Sequence, residues 1–148
     1  SHSKILKDIS KLNIQEKIVV REHPLFKGMY ESEFYEITRD NSMFILDNKS
    51  GLPEQIKNSI FCIVNNSTVG IQALALNKIV LALGDSYYDQ HPNVIKLHNR
   101  DSLQDLVIQA SSHPVTTPQG SNSYFLDGHF RDKNMEIVKK SVGKKIFT

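Results

Sequence analysis

Three short polar stretches follow strand-like apolar runs, and their residue types suit a phosphorylated ligand. They are EHP at residues 22–24, NSTVG at residues 66–70 and GDSYYD at residues 84–89. Imidazole, hydroxyl and carboxylate side chains hydrogen-bond to bases, sugars and phosphates. Because ligands of open parallel sheets bind beyond the carboxyl ends of the strands, we predict a binding crevice at that edge.

The NSTVG stretch is the strongest of the three. It places the hydroxyls of Ser67 and Thr68 in the first turn of a predicted helix, where free N–H groups and the helix dipole favour an anion. Gly70 lets a ligand or a neighbouring backbone approach closely. The predicted phosphate-binding residues are Asn66, Ser67, Thr68 and Gly70. The alternative is an ordinary N-cap, with Asn66 or Ser67 placed to cap and only one of Ser67 and Thr68 needed, together with a packing glycine.

The other two stretches add side chains that suit a nucleotide and a sugar. His23 follows the first predicted strand, and Pro24 sets the turn that presents its imidazole,. The alternative for His23 is a hydrogen bond within its own loop. In the third stretch, Asp85 and Tyr88 are predicted to contact a sugar, with ordinary surface-loop polarity as the alternative.

Length and composition favour one soluble globular domain. The chain has 148 residues, 39% hydrophobic and 23% charged, and no apolar run approaches the roughly 20 residues that span a bilayer. A net charge of +2 is too small to indicate a nucleic-acid partner. The single cysteine, Cys62, lies within an apolar run, which predicts a small buried side chain in a reducing compartment.

Several other chemistries lack their sequence motifs. Neither GxGxxG nor GxxxxGK[ST] occurs, which argues against dinucleotide oxidoreductases and P-loop NTPases,. The lysine pairs at 139–140 and 144–145 favour a solvated helix face over a polymer- or membrane-binding surface. The remaining histidines have no metal-ligand spacing with one another or with Cys62, which predicts no metal site; they are His91, His98, His113 and His129,.

Apolar periodicity predicts an alternating β/α order and hence an open parallel sheet with helices on both faces. Residues 111–123 are rich in Pro, Ser and Thr and predict an irregular connection,. Residues 1–3 look like an expression remnant, so we expect a single ordered domain over residues 4–148. The predicted strands are 17–22, 43–46, 60–64, 79–83 and 94–97, and the predicted helices are 5–12, 31–38, 53–58, 69–78, 102–110 and 132–140.

Together, the three stretches resemble the capsule polysaccharide biosynthesis family, which includes bacterial β-Kdo transferases. The resemblance spans about residues 17–89 and rests on VREHP at 20–24, NSTVGIQAL at 66–74 and GDSYYD at 84–89. It implies a Rossmann-like fold and the C-terminal donor-binding half of a GT-B glycosyltransferase. Bacterial sialyltransferases, with their HP and S-S/T motifs, are similar in layout.

The resemblance also implies roles for particular residues. His23 and Pro24 would contact the cytidine nucleotide of a CMP-sugar, such as CMP-Kdo, while Ser67 and Thr68 would bind its phosphate. His23 would assist the departing nucleotide, and the catalytic residue stays unknown. No tightly bound cofactor or metal is expected.

The acceptor, a polysaccharide or glycolipid, would bind an N-terminal domain that this chain lacks, so we expect no turnover by the chain alone. The expected location is the cytoplasm or the cytoplasmic face of the inner membrane, with peripheral association. Two alternatives remain open: a non-catalytic domain that binds a nucleotide or sugar phosphate, and a UDP-sugar GT-B domain.

Overall fold

Six parallel strands form one open sheet in the computed structural model, which describes residues 2–98, 101–112 and 123–127. The strand order is β2-β1-β6-β3-β4-β5. The strands are β1 (Lys17–Arg21), β2 (Phe44–Leu46), β3 (Ser59–Val64), β4 (Val80–Ala82), β5 (Val94–Lys96) and β6 (Ser123–Asp127). The predicted α/β class with a Rossmann-like, all-parallel sheet is confirmed.

Among the described residues, one α-helix precedes β1, and four α-helices and one 3-10 turn lie between the strands. They are α1 (His2–Ser10), the 3-10 turn (Pro24–Phe26), α2 (Ser32–Asp40), α3 (Leu52–Lys57), α4 (Val69–Ala75) and α5 (Leu103–Ser112). The Asp105 N–H donates to Ser102 Oγ at 3.3 Å, so the predicted cap of α5 is confirmed,. The helix predicted over residues 132–140 lies outside the described residues.

The helices cover both faces of the sheet, which explains why β3 is apolar without alternation. Phe61 and Ile63 join the core cluster under α1, α2 and α5, whereas Cys62 and Val64 join the cluster under α3 and α4. Cys62 is fully buried, and burial raises the pKa of its thiol to about 12. The prediction of a small buried thiol is therefore confirmed.

The predicted start of order near Lys4 is wrong. Helix α1 begins at His2, whose ring stacks on Tyr30 with the centroids 4.4 Å apart. The N–H and Oγ of Ser3 both donate to Glu31 Oε1, at 2.7 and 3.0 Å. Because Ser3 is buried, the first residues of the helix belong to the folded domain.

Strand β6 was not predicted, yet it lies in the middle of the sheet between β1 and β3. Ser123, assigned to the irregular connection, begins β6, and residues 113–122 of that connection lie outside the described residues. Ile18 pairs with Tyr124, and Cys62 pairs with Phe125. The apolar run is only three residues long, which is too short to separate a strand from a loop by periodicity.

Candidate functional site

The three polar stretches lie along the same carboxyl edge of the sheet. His23 follows β1, Ser67 follows β3 and Gly84 follows β4, while β6 ends at Asp127 between the first two. The chain leaves β1 for β2 on one side and leaves β3 for β4 on the other. Open α/β sheets bind their ligands beyond the carboxyl ends of the strands at such a reversal of strand order.

The turn after β3 contains a buried hydroxyl that the fold itself does not use. Ser67 is 3% exposed, and its Oγ has no hydrogen-bond partner among the described residues. The predicted cap at Asn66 or Ser67 is wrong: Thr68 takes the N-cap position, and its side chain makes no capping hydrogen bond. Ordinary capping therefore does not explain the Ser67 hydroxyl, and a buried hydroxyl without a partner costs about 1–3 kcal/mol.

The glycine in this turn is explained by a neighbouring side chain. A Cβ on Gly70 would lie 2.4 Å from Tyr88 Oη and 2.6 Å from Tyr88 Cζ. Tyr88 is buried, its Oη donates to the Ser67 carbonyl at 2.6 Å, and burial raises its pKa. The close approach that Gly70 permits is thus made by a phenol ring, and the sugar contact of Tyr88 stays a prediction.

Ion pairs with Lys96 fix the loop after β4. The Nζ of Lys96 contacts Asp85 Oδ1 and lies 3.0 Å from Asp89 Oδ2. Asp89 also accepts hydrogen bonds from the Ser86 N–H and Oγ, at 3.0 and 2.7 Å. Burial alone would lower the pKa of Lys96, but its bonds to the two carboxylates raise that pKa above its ordinary value. The side chain of Asp85 is 94% exposed, and its predicted sugar contact stays a prediction.

His23 follows β1 and takes the N-cap position immediately before the 3-10 turn. The His23 N–H donates to Tyr30 Oη at 2.8 Å, and the Leu25 N–H donates to His23 Nδ1 at 3.2 Å. With Nδ1 as an acceptor, the neutral ring carries its proton on Nε2. One ring nitrogen of His23 therefore forms a hydrogen bond within its own loop, as the alternative for this residue predicts. Contact of His23 and Pro24 with a nucleotide stays a prediction.

Glu22 anchors this turn through hydrogen bonds to its carboxylate. Its Oε2 accepts from the Gly28 N–H at 2.7 Å and from Tyr35 Oη at 2.6 Å, and its Oε1 accepts from Asn48 Nδ2 at 2.9 Å. Burial alone would raise the pKa of Glu22, but these hydrogen bonds outweigh it and lower the pKa below its ordinary value,. The carboxylate is therefore used within the protein itself.

Sequence analysis missed Asp127, the carboxylate at the end of β6. It is 4% exposed and lies next to the end of β1, since it pairs with Arg21. Burial and, to a smaller extent, the charge of Asp127 raise the pKa of both Tyr30 and Tyr88. Its negative charge therefore influences a tyrosine near the turn after β1 and another that contacts the turn after β3. The available signal was an acidic residue after a short apolar run, as at Glu22.

Two negative findings hold for residues 2–98, 101–112 and 123–127. Within these ranges, His, Cys, Asp and Glu nowhere form a group of three that could hold a metal ion. In the same part of the chain, every helix is too short or too polar to cross a membrane.

Comparisons with known proteins identify the family. The sequence model described as "Capsule polysaccharide biosynthesis protein" matches residues 2–95. Protein FixF of Sinorhizobium fredii is 34% identical over 107 residues, which cover 72% of this chain and 22% of FixF. This chain thus spans about a fifth of the length of FixF. No solved structure matches this chain. With the family match covering well over half of its residues, the chain belongs to the capsule polysaccharide biosynthesis family.

Proposed function

We propose that this chain is the donor-binding domain of a capsular polysaccharide glycosyltransferase and that its donor is a CMP-sugar, specifically CMP-Kdo. Family membership supports a role in capsule synthesis. The observation that carries the donor site is the buried Ser67 Oγ, which has no partner among the described residues and lies at the edge where the strand order reverses. A phosphate oxygen would supply the missing acceptor.

In this proposal, the Ser67 and Thr68 hydroxyls hold the donor phosphate, beside Asn66 and Gly70. Hydrogen-bond donors that are already oriented toward developing negative charge stabilise a departing nucleotide by several kcal/mol. Across β6, the His23 imidazole contacts the nucleotide, while its Nδ1 accepts from the Leu25 N–H.

The acceptor polysaccharide or glycolipid binds another domain of the complete enzyme. No tightly bound cofactor or metal takes part, and nucleic acid is not a partner. The proposed location is the cytoplasm or the cytoplasmic face of the inner membrane.

Asp127 keeps a second candidate open, a UDP-sugar donor. Carboxylates often hold a ribose hydroxyl in nucleotide sites of α/β sheets, and Asp127 is a buried carboxylate at the crevice. A domain that binds a nucleotide or sugar phosphate without catalysis would use the same groups.

Titration calorimetry with CMP, UMP and UDP separates these candidates. We expect CMP to bind most tightly, and we expect Ser67→Ala and Thr68→Ala each to weaken it roughly tenfold, the loss of one hydrogen bond to a charged group. Preference for UDP would favour the second candidate. CMP binding unaffected by both substitutions would contradict the phosphate assignment.

A glycosyl-transfer assay tests catalysis separately. We expect no transfer from a CMP-sugar by this chain alone, because the acceptor is assigned to another domain. Nucleotide binding without transfer by the complete enzyme would favour the non-catalytic candidate.

A further inference from the structure

The loop after β4 makes a specific contact with the turn after β3. The Ser67 carbonyl accepts two hydrogen bonds, one from Tyr88 Oη at 2.6 Å and one from the Gly70 N–H at 3.1 Å. A carbonyl oxygen has two lone pairs, so both are occupied. The phenol therefore completes the hydrogen bonding of the Ser67 carbonyl, while the hydroxyl of the same residue has no described partner.

Close packing accompanies this hydrogen bond. A Cβ on Gly70 would overlap the Tyr88 ring, and a Cβ on Gly84 would lie 2.5 Å from Asn65 Oδ1. The Gly84 N–H also donates to the Asn65 carbonyl at 2.9 Å. Both glycines thus lie where the two polar stretches meet, and the stretches form one packed unit.

The position of Tyr88 is fixed by contacts of the neighbouring residue Asp89. Asp89 is bound to Lys96 and to Ser86, and Lys96 belongs to β5. The phenol is 8% exposed, so it has little freedom to turn toward a ligand in the crevice. Its position is determined by the sheet through β5.

We propose that Tyr88 is a positioning residue, which holds the Ser67 carbonyl so that the Ser67 hydroxyl faces the donor phosphate. Its assignment as a sugar contact is replaced by this indirect role. The part that concerns the donor rests on the proposed function, whereas the clamp itself concerns the free protein. Gly70 is required because the clamping ring occupies the space of its Cβ.

Amide hydrogen exchange on Tyr88→Phe tests the clamp without a ligand. The substitution keeps the ring and removes one hydrogen bond, so we expect roughly three- to tenfold faster exchange at Gly70 and Ile71. Tyr124→Phe is the matched control, because it also removes a buried phenol contact, to Ser111 Oγ at 3.0 Å, but on the other face of the sheet. Equal exchange in wild type and Tyr88→Phe would overturn the inference.

A double-mutant cycle tests the reason for Gly70. Gly70→Ala should destabilise the wild-type protein, and the same change should cost much less in Tyr88→Ala, where the ring is absent. Equal costs in the two backgrounds, measured by urea unfolding, would contradict the clamp. If Tyr88→Ala fails to fold, Tyr88→Leu replaces it in the cycle.

Nucleotide titration then connects the clamp to the donor site. We expect Tyr88→Phe to weaken CMP binding several-fold and Tyr124→Phe to leave it unchanged. If wild-type protein binds no nucleotide, the proposed function fails while the exchange result still decides the clamp. If Tyr88→Phe loosens the turn but binds CMP normally, the positioning role is wrong.

Discussion

The turns after β1 and β3 lie on either side of β6 and differ in the hydrogen bonding of their buried polar groups. In the first turn, the Glu22 carboxylate accepts hydrogen bonds from Gly28, Tyr35 and Asn48. In the second turn, the equally buried Ser67 hydroxyl has no partner among the described residues. Since buried polar groups are nearly always hydrogen-bonded, the first turn is organised for stability, and the unused hydroxyl of the second turn supports our proposal that this turn holds a ligand.

Replacing Glu22 should have the largest effect. Glu22→Ala leaves three donors without an acceptor, so we expect the free energy of unfolding to fall by about 3 kcal/mol. Urea unfolding measures this loss. Glu36→Ala, on the exposed face of α2, is the control and should change stability by less than about 0.5 kcal/mol. A similar loss in the two variants would show that Glu22 does not anchor its turn.

Two serine substitutions should separate stability from binding. Ser67→Ala removes a buried hydroxyl that has no described partner, so we expect unchanged or higher stability and roughly tenfold weaker CMP binding. Ser59 is equally buried, but its Oγ donates to the Ile56 carbonyl at 2.7 Å. Ser59→Ala should therefore lose about 1 kcal/mol of stability and keep CMP affinity. If Ser67→Ala is the less stable of the two, the contrast between the turns is wrong.

We expect acid to destabilise the first turn, with a smaller effect on the free energy of unfolding than the loss of the Glu22 side chain. Because the pKa of Glu22 is lower in the folded protein than its ordinary value of 4.5, the carboxylate stabilises the fold fully above about pH 4.5. That contribution is lost as the pH falls through the lower, folded-state pKa. Urea midpoints at pH 7 and pH 3 should therefore differ less in Glu22→Gln than in the wild type. An equal shift in both proteins would assign the acid sensitivity to other carboxylates.

The helices and strands that could be predicted are those whose local sequence pattern is enough to identify them. Strand β3 has five consecutive apolar residues after Ser59, and α5 has a serine cap and a helical apolar pattern, so both were recognised. Strand β6 has only Tyr124, Phe125 and Leu126 between polar residues. Its place beside β1 and β3 comes from pairing over long sequence separations, which local patterns do not contain.

The same division applies to the candidate site. The residue types of the polar stretches were visible because strand ends carry ligand-binding groups in this class of sheet. The contact of Tyr88 with Ser67 joins residues 21 positions apart, and the burial of Asp127 depends on β6. Both follow from how the loops pack, so sequence analysis missed the contact of Tyr88 with Ser67 and omitted Asp127.

The sequence by itself determined the alternating β/α order, the all-parallel sheet and the edge along which His23, Ser67 and Thr68 lie. Apolar runs and strand-to-helix turns are local, so they can be recognised one segment at a time. Only the tertiary structure decided that β6 separates the two turns, that Tyr88 holds the Ser67 carbonyl and that the Ser67 hydroxyl lacks a described partner. Burial and hydrogen bonding are properties of the packed chain, since each depends on residues that are distant in sequence.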